Sequence, residues 1–424
     1  MTRIMKIMIT RRQFLTAAAL IPLAGAASCH SSKDARRGAS RSPARFFFTS
    51  QGKTALMNAD GTGLRWFDFH MPNQVTWQPF GFLSDGRVLF LSMEQRRDGP
   101  GKPFEEYYHQ TPTHIWIHDL DKGALIEVAN RDRLSAFYGG GPLINDNRFI
   151  MQVVRQNNTQ LYSMNLDGTD AQEFTHAGEG FPYGLSVSPD GKRVAFHLAT
   201  SSGYQAWMSD VNGSTRVKVA ANPEHLYFGP SWSHDGEWLF FHDCLHHQDP
   251  GHDWADVYLC KPDGSEARLL TKGQQAWFGT SYGNPDNRSG GSETLYWTHD
   301  DKVLCSLRLP GSKVAWEFQP QRPDTDHFNR DYKPELARGG TEICKINPRD
   351  GSVTTITRPG AGVWDFRATE SPDGKQIVFC RARTGESPAI WLMNSDGTNQ
   401  RELTKGLDNR GADHPRWVPQ GRLL

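Results

Sequence analysis

The chain has no excess charge of either sign: Lys+Arg and Asp+Glu each total 47, a formal net charge of zero. That excludes the basic footprint on which nucleic-acid binding depends. Beyond the N-terminus no apolar run approaches the roughly 20 residues a membrane-crossing helix needs. The six cysteines, Cys29, Cys244, Cys260, Cys305, Cys344 and Cys380, form no C-x-x-C pair, so neither a thioredoxin-like redox motif nor a cysteine zinc knuckle is expected. Most sit inside apparent strands and read as small buried thiols, while export would also permit disulfides whose pairing the spacing does not give. No H-E-x-x-H zinc signature occurs either. What the sequence does hold in quantity is glycine (41), proline (25) and tryptophan (13), which suits many short strands joined by tight turns.

The first residues read as an address. Thr10-Arg11-Arg12-Gln13-Phe14-Leu15 fits the twin-arginine pattern, and the apolar stretch Ala17 to Ala27 that follows is too short for a span. Ala24-Gly25-Ala26 offers a cleavage site, while Cys29 after Ala26-Ala27-Ser28 resembles a lipoprotein processing site. Soluble release and a lipid anchor at Cys29 both stay open. Residues 1–29 are expected to be the signal, 30–43 a Ser/Arg/Lys-rich disordered linker, and 44–424 the folded domain. The expected location is periplasmic or extracytoplasmic.

Within that domain one turn recurs after short apolar strands: Asn58-Ala59-Asp60-Gly61, Asp119-Leu120-Asp121-Lys122-Gly123, Asn165-Leu166-Asp167-Gly168 and Asp210-Val211-Asn212-Gly213. The series continues with Lys261-Pro262-Asp263-Gly264, Asn347-Pro348-Arg349-Asp350-Gly351 and Asn394-Ser395-Asp396-Gly397. A second turn precedes most of these, as in Ser188-Pro189-Asp190-Gly191, Ser233-His234-Asp235-Gly236 and Ser371-Pro372-Asp373-Gly374. Asp-Gly between apolar runs is a hairpin signal because the turn needs positive φ. Each unit therefore reads as four antiparallel strands, a sheet that must stack on its neighbours to bury both faces. Arg45 to Asp68 supplies three strands, and His414-Pro415-Arg416-Trp417-Val418-Pro419 matches the missing fourth. The expectation is an all-β, seven-bladed β-propeller of four-stranded antiparallel blades, closed by the C-terminal strand joining blade one.

The repeat Ser371-Pro372-Asp373-Gly374 to Phe379, then Ile390-Trp391-Leu392-Met393-Asn394-Ser395-Asp396-Gly397, resembles the TolB-type propeller repeat over nearly the whole folded part. The resemblance implies a fold, not a function. In architecture and in histidine-rich loops the chain is also similar to the oligogalacturonate lyase propellers. That similarity implies a divalent metal held through histidines and β-elimination of short uronide chains. Neither the hydrolase domain that propeller peptidases append nor its G-x-S-x-G elbow is expected here.

The Asp-Gly turns fall on one rim, so the long irregular connections fall on the other, where function collects. The segment from His242 to Asp253 carries four histidines and three aspartates within twelve residues, a ligand chemistry suited to Mn, Zn or Ca and to proton transfer near neutrality. His242, His252 and Asp253 are the candidate metal ligands, and His242, His252 and His327 the candidate catalytic groups. Arg288, Arg322 and Arg330 suit the carboxylates of an acidic sugar, and Trp277 and Tyr282 suit its apolar face. A polar solvated loop, a self-neutralising salt-bridged loop and tryptophans packed between blades are the corresponding structural readings. The expected partner is an oligosaccharide or envelope glycan, with no nucleic acid and a monomeric protein. A metal-assisted lyase acting on acidic oligosaccharides and a non-catalytic propeller binding a glycan or protein are the two functions weighed.

Overall fold

The computed structural model describes residues 44–50, 53–67, 74–94, 113–129, 141–155, 158–245, 253–278, 293–318, 330–405, 407 and 411–419. The signal and linker expected over 1–43 lie outside them. Strands dominate, and the one helical element among the described residues is a single 3-10 turn, Pro334–Leu336.

The unit Phe181–Val187, Arg193–Thr200, Gly203–Asp210 and Arg216–Ala220 shows how the repeat works, each strand pairing antiparallel with the next. In its first turn the Ser188 hydroxyl donates to Asp190 Oδ1 (2.6 Å) and accepts from the Arg193 amide (2.9 Å), while Gly191 turns at φ 70°. Ser233 with Asp235 and Ser371 with Asp373 repeat the arrangement at 2.5 and 2.7 Å. The second turn has its own mechanics. In Asp167-Gly168-Thr169 the Thr amide and hydroxyl both donate to Asp167 Oδ1, at 2.9 and 2.6 Å. Asp60 with Thr62, Asp263 with Ser265, Asp350 with Ser352 and Asp396 with Thr398 do the same. These are Asx-type turns, which explains why Asp-Gly is followed by a hydroxyl residue so often.

Four-stranded antiparallel sheets result. Gln74–Phe82 to Leu125–Ala129 make one, and Leu143–Asn145 to Gln172–Glu173 another. From Phe181 to Glu402 four-strand groups follow one another in a continuous run, linked by single parallel bridges such as Tyr204↔Leu226 and Thr341↔Trp364. A further sheet joins distant parts of the chain: Asp413–Trp417 pairs antiparallel with Arg45–Ser50, Phe46 opposite Trp417 and Thr49 opposite Asp413. Lys53–Asn58 and Arg65–Phe67 complete it.

Packing between sheets buries both faces, as the alternation of side chains requires. Phe46, Phe48 and Trp417 share one cluster with Trp254, Trp277, Trp364 and Phe366, so the sheet that joins the two ends of the described chain packs against the long run there. Phe47, Phe67 and Phe90 form another between the first two sheets.

The first strand of several units carries a β-bulge, seen as register shifts at Tyr183/Ser186, Phe228/Ser231 and Phe366/Thr369. The residue after the last regular pair takes positive φ: Gly184 (62°), Gly229 (61°), Arg367 (51°) and, on the C-terminal strand, His414 (54°). For arginine and histidine this left-handed backbone is strained. Bulges re-aim side chains, and here they set the geometry of the site.

Candidate functional site

At the bulges of Val363–Glu370 and Asp413–Trp417, with Glu293 from the segment before Tyr296–Trp297, ionisable groups meet. Arg367, Asp413 and Glu293 are 3, 6 and 2% exposed, so their charges must be answered inside the protein. The Arg367 guanidinium donates to Asp413 Oδ2 and, through the same nitrogen, to His414 Nδ1 at 3.2 Å. The Arg367 amide donates to Glu293 Oε1 (2.5 Å), and the Ser306 hydroxyl donates to the same oxygen (2.9 Å). The second carboxylate oxygen of Glu293 is buried with no hydrogen-bond partner among the described residues. The Cys380 thiol donates to Asp413 Oδ1 at 3.3 Å.

The electrostatics follow from this arrangement. Burial would raise Asp413, but the Arg367 guanidinium and His414 hold its carboxyl well below the usual range, so it is charged. Burial, against the pull of Arg367, pushes Glu293 up to about 7. Burial and the Arg367 charge bring His414 down to about 4, leaving it neutral. Burial and Arg367 also lower Arg416 to about 10. The Arg367 charge thus acts on Arg416 as well as on His414, and Asp413 is a carboxylate that Arg367 meets directly.

A second buried set lies on the units centred on Phe181–Val187 and His225–Trp232. His197 and His242 occupy equivalent places, opposite Tyr183 and Phe228 respectively. Burial lowers each to about 3. The Gly229 amide donates to His197 Nδ1 (3.2 Å), and the Nε2 of each ring is buried with no partner among the described residues. Gly184 is required here, since a Cβ would lie 2.4 Å from His197 Nδ1.

No family model matches the chain. Among solved structures it is similar to a prolyl endopeptidase, with TM-score 0.55 and 11% identity over 92% of this chain. This chain spans 50% of that one. It is also similar to an oligogalacturonate lyase in complex with manganese, at TM-score 0.50 and 14% identity over 85% of this chain and 84% of that one. TolB from Acinetobacter baumannii matches at TM-score 0.46 and 12% identity, over 89% and 67% of the two chains. The chain folds as a β-propeller. At these identities the likeness is one of fold alone.

Of the propeller's sequence-predicted site residues, the structure describes the side chains of His242, Asp253 and Trp277. His242 and Asp253 are 3 and 1% exposed. Trp277 is fully buried, its ring centroid 4.9 Å from Trp364 and 5.3 Å from Phe366, so its ring serves packing between blades. Arg330 opens the strand Arg330–Tyr332, which pairs with Trp316–Phe318. His252, Tyr282, Arg288, Arg322 and His327 lie outside the described residues. Among the described residues no group of three or more His, Cys, Asp or Glu could hold a metal ion.

Glu293, Arg367, Asp413, His414 and Arg416 were not foreseen as one site. Aligning the bulged strands reveals them: Tyr183-Gly184-Leu185-Ser186, Phe228-Gly229-Pro230-Ser231, Phe366-Arg367-Ala368-Thr369 and Asp413-His414-Pro415-Arg416 share one pattern. A glycine column that turns into Arg and His is the signal. Gly279-Thr280-Ser281-Tyr282-Gly283 fits the G-x-S-x-G spacing of a hydrolase nucleophile elbow. That elbow needs a strand running into a helix. The string comes after the two-residue strand Ala276–Trp277 and lies outside the described residues.

Proposed function

We propose that the protein is exported by the twin-arginine route, closes as a ring of seven blades, and binds an acidic oligosaccharide at the axis, which it cleaves by β-elimination. The pairing of Asp413–Trp417 with Arg45–Ser50 supports closure. The observation that carries the substrate reading is the effect of the Arg367 charge on Arg416, the two arginines lying on strands whose backbone turns to positive φ at Arg367 and His414. Positive charge beside a uronate carboxylate lowers the acidity barrier at the adjacent carbon, because it stabilises the charge that develops there. His252 and His327, on the long connections of blades five and six, are the proposed bases. Arg288, Arg322, Arg330 and Tyr282 are the proposed substrate contacts.

Manganese, zinc or calcium fits this reading through His242, Asp253 and His252. The described residues do not complete such a set, and no step is assigned to a metal. Burial of His242 and Trp277 favours a second reading, a propeller that binds an envelope glycan or protein without catalysis.

Incubation with oligogalacturonides, ulvan or glycosaminoglycan oligomers, with and without manganese, separates the two. The first reading expects ultraviolet absorbance from unsaturated product, lowered about 100-fold or more in Arg416→Ala. Binding without product supports the second. Neither binding nor product on any acidic glycan overturns the substrate proposal.

A further inference from the structure

We propose that Cys305 and Cys344 form a latent cross-strand disulfide, which closes when the chain folds in the presence of a disulfide oxidant and staples the stem of the connection 309–340. The inference is independent of any glycan ligand and of any lyase chemistry. Strands Val303–Arg308 and Thr341–Ile346 flank that connection and pair antiparallel, with Cys305 directly opposite Cys344. Residues so opposed have Cα atoms about 4.5–5.5 Å apart, inside the window of roughly 4.4–6.8 Å that a disulfide spans. Their side chains leave the sheet on the same face. On that face Val303, Cys305 and Ile346 pack against Phe240, Val257 and Leu259 of the neighbouring unit. The Cys344 thiol lies 3.9 Å from Thr355 Oγ1, on the strand at its other side, and 3.9 Å from Glu342 Oε1. Both contacts are long and weak, so turning the thiol about its Cα–Cβ bond towards Cys305 forfeits little.

The other described cysteines stand opposite different residues: Cys244 opposite Leu226, Cys260 opposite Leu239, and Cys380 opposite Phe366 and Ile390. Register therefore selects one pair where spacing left the connectivity open. Burial decides when the bond forms. Cys305 and Cys344 are 2 and 0% exposed, and burial raises both thiols, Cys344 to about 12. The folded state thus holds little thiolate and keeps oxidant out. The bond forms while this face is uncovered, during folding or when the neighbouring sheets part. One thiolate attacks a sulfur of the oxidant's disulfide and releases one thiol, leaving a mixed disulfide. The second thiolate attacks the protein sulfur of that mixed disulfide and releases the other thiol. The protein loses two hydrogens and the oxidant gains them. Closure ties residues 305 and 344 in the unfolded chain as well, which lowers its conformational entropy. Such bonds persist in an oxidising compartment, where the proposed export would deliver the chain.

Refolding of the intact protein tests this. Reduced, unfolded chain is refolded with and without a mixture of oxidised and reduced glutathione, free thiols are blocked with iodoacetamide under denaturing conditions, and the peptides are mapped by mass. With oxidant, Cys305 and Cys344 should be recovered as one linked pair of peptides, and Cys244, Cys260 and Cys380 as blocked thiols. The urea midpoint of that product should lie roughly 0.5–1 M above that of the reduced protein. Cys305→Ala and Cys344→Ala should each abolish the linked pair and give the same midpoint with oxidant as without. Comparing each variant with itself keeps the test valid where the substitution alone lowers stability. Cys305 and Cys344 left unlinked after oxidative refolding, or either of them joined to another cysteine, would overturn the pairing. A linked pair that leaves the midpoint unchanged or lowers it would overturn the staple.

Discussion

A chain truncated after Leu407 should not fold cooperatively. Removing the C-terminal strand takes away the partner of Arg45–Ser50 and three of its register pairs, Phe46↔Trp417, Phe47↔Arg416 and Thr49↔Asp413. Trp417 is 8% exposed, packs edge-on against Phe46 at 5.7 Å between centroids, and donates from Nε1 to the Thr369 carbonyl at 3.0 Å. Losing a buried tryptophan costs about 3–5 kcal/mol. Losing Asp413 leaves the Arg367 charge inside the protein without its carboxylate, a further 3–5 kcal/mol or so. Together these approach the roughly 5–15 kcal/mol by which domains are stable at all. Urea denaturation followed by circular dichroism should show a broad or absent transition in the truncated chain. Trp417→Ala alone should keep the transition but lose about 3–5 kcal/mol. A truncated chain that melts like the wild type would mean that the strand is an ornament.

Glu293→Gln should become relatively more stable than the wild type as pH rises. Burial raises Glu293 from the ordinary 4.5 to about 7 in the folded protein. The folded state therefore binds more protons than the unfolded chain between those values, and stability falls as pH rises through that window. Above both values the charged group carries its full penalty, on the order of 3 kcal/mol by linkage. Glutamine has no such penalty. The difference in unfolding free energy between variant and wild type should thus grow from pH 5 to about pH 8 and then level off. A difference independent of pH would place Glu293 in an ordinary, solvated setting.

Much of the fold is legible in the sequence because its turns are built from local chemistry. Asp-Gly-Thr and Ser-Pro-Asp-Gly each specify their own hydrogen bonds, as the Asp167–Thr169 and Ser188–Asp190 contacts show. Trp417 could be assigned to the first sheet because Arg45 to Asp68 supplies three strands and His414 to Pro419 resembles the strand they lack. The site was harder to see. Histidine density between His242 and Asp253 draws the eye, yet His242 is tucked behind Phe228 and neutral. Trp277, chosen for a sugar face, belongs to a tryptophan cluster that joins blades. Glu293 and Arg367 are isolated in sequence by 74 residues, and their hydrogen bond exists through closure of one blade upon the next. The strained backbone at Arg367 and His414 leaves no mark in composition. It shows itself when the blades are aligned and glycine is seen to be replaced.

Native-state hydrogen exchange at the amides of Asp413–Trp417 tests the central claim most directly. If the strand seals the ring and holds Asp413 against Arg367, those amides that pair with Arg45–Ser50 should exchange as slowly as the Phe46–Phe48 core, opening only on global unfolding. Exchange as fast as a frayed terminus would leave the cluster of Glu293, Arg367 and Asp413 without one of its walls and would contradict the account.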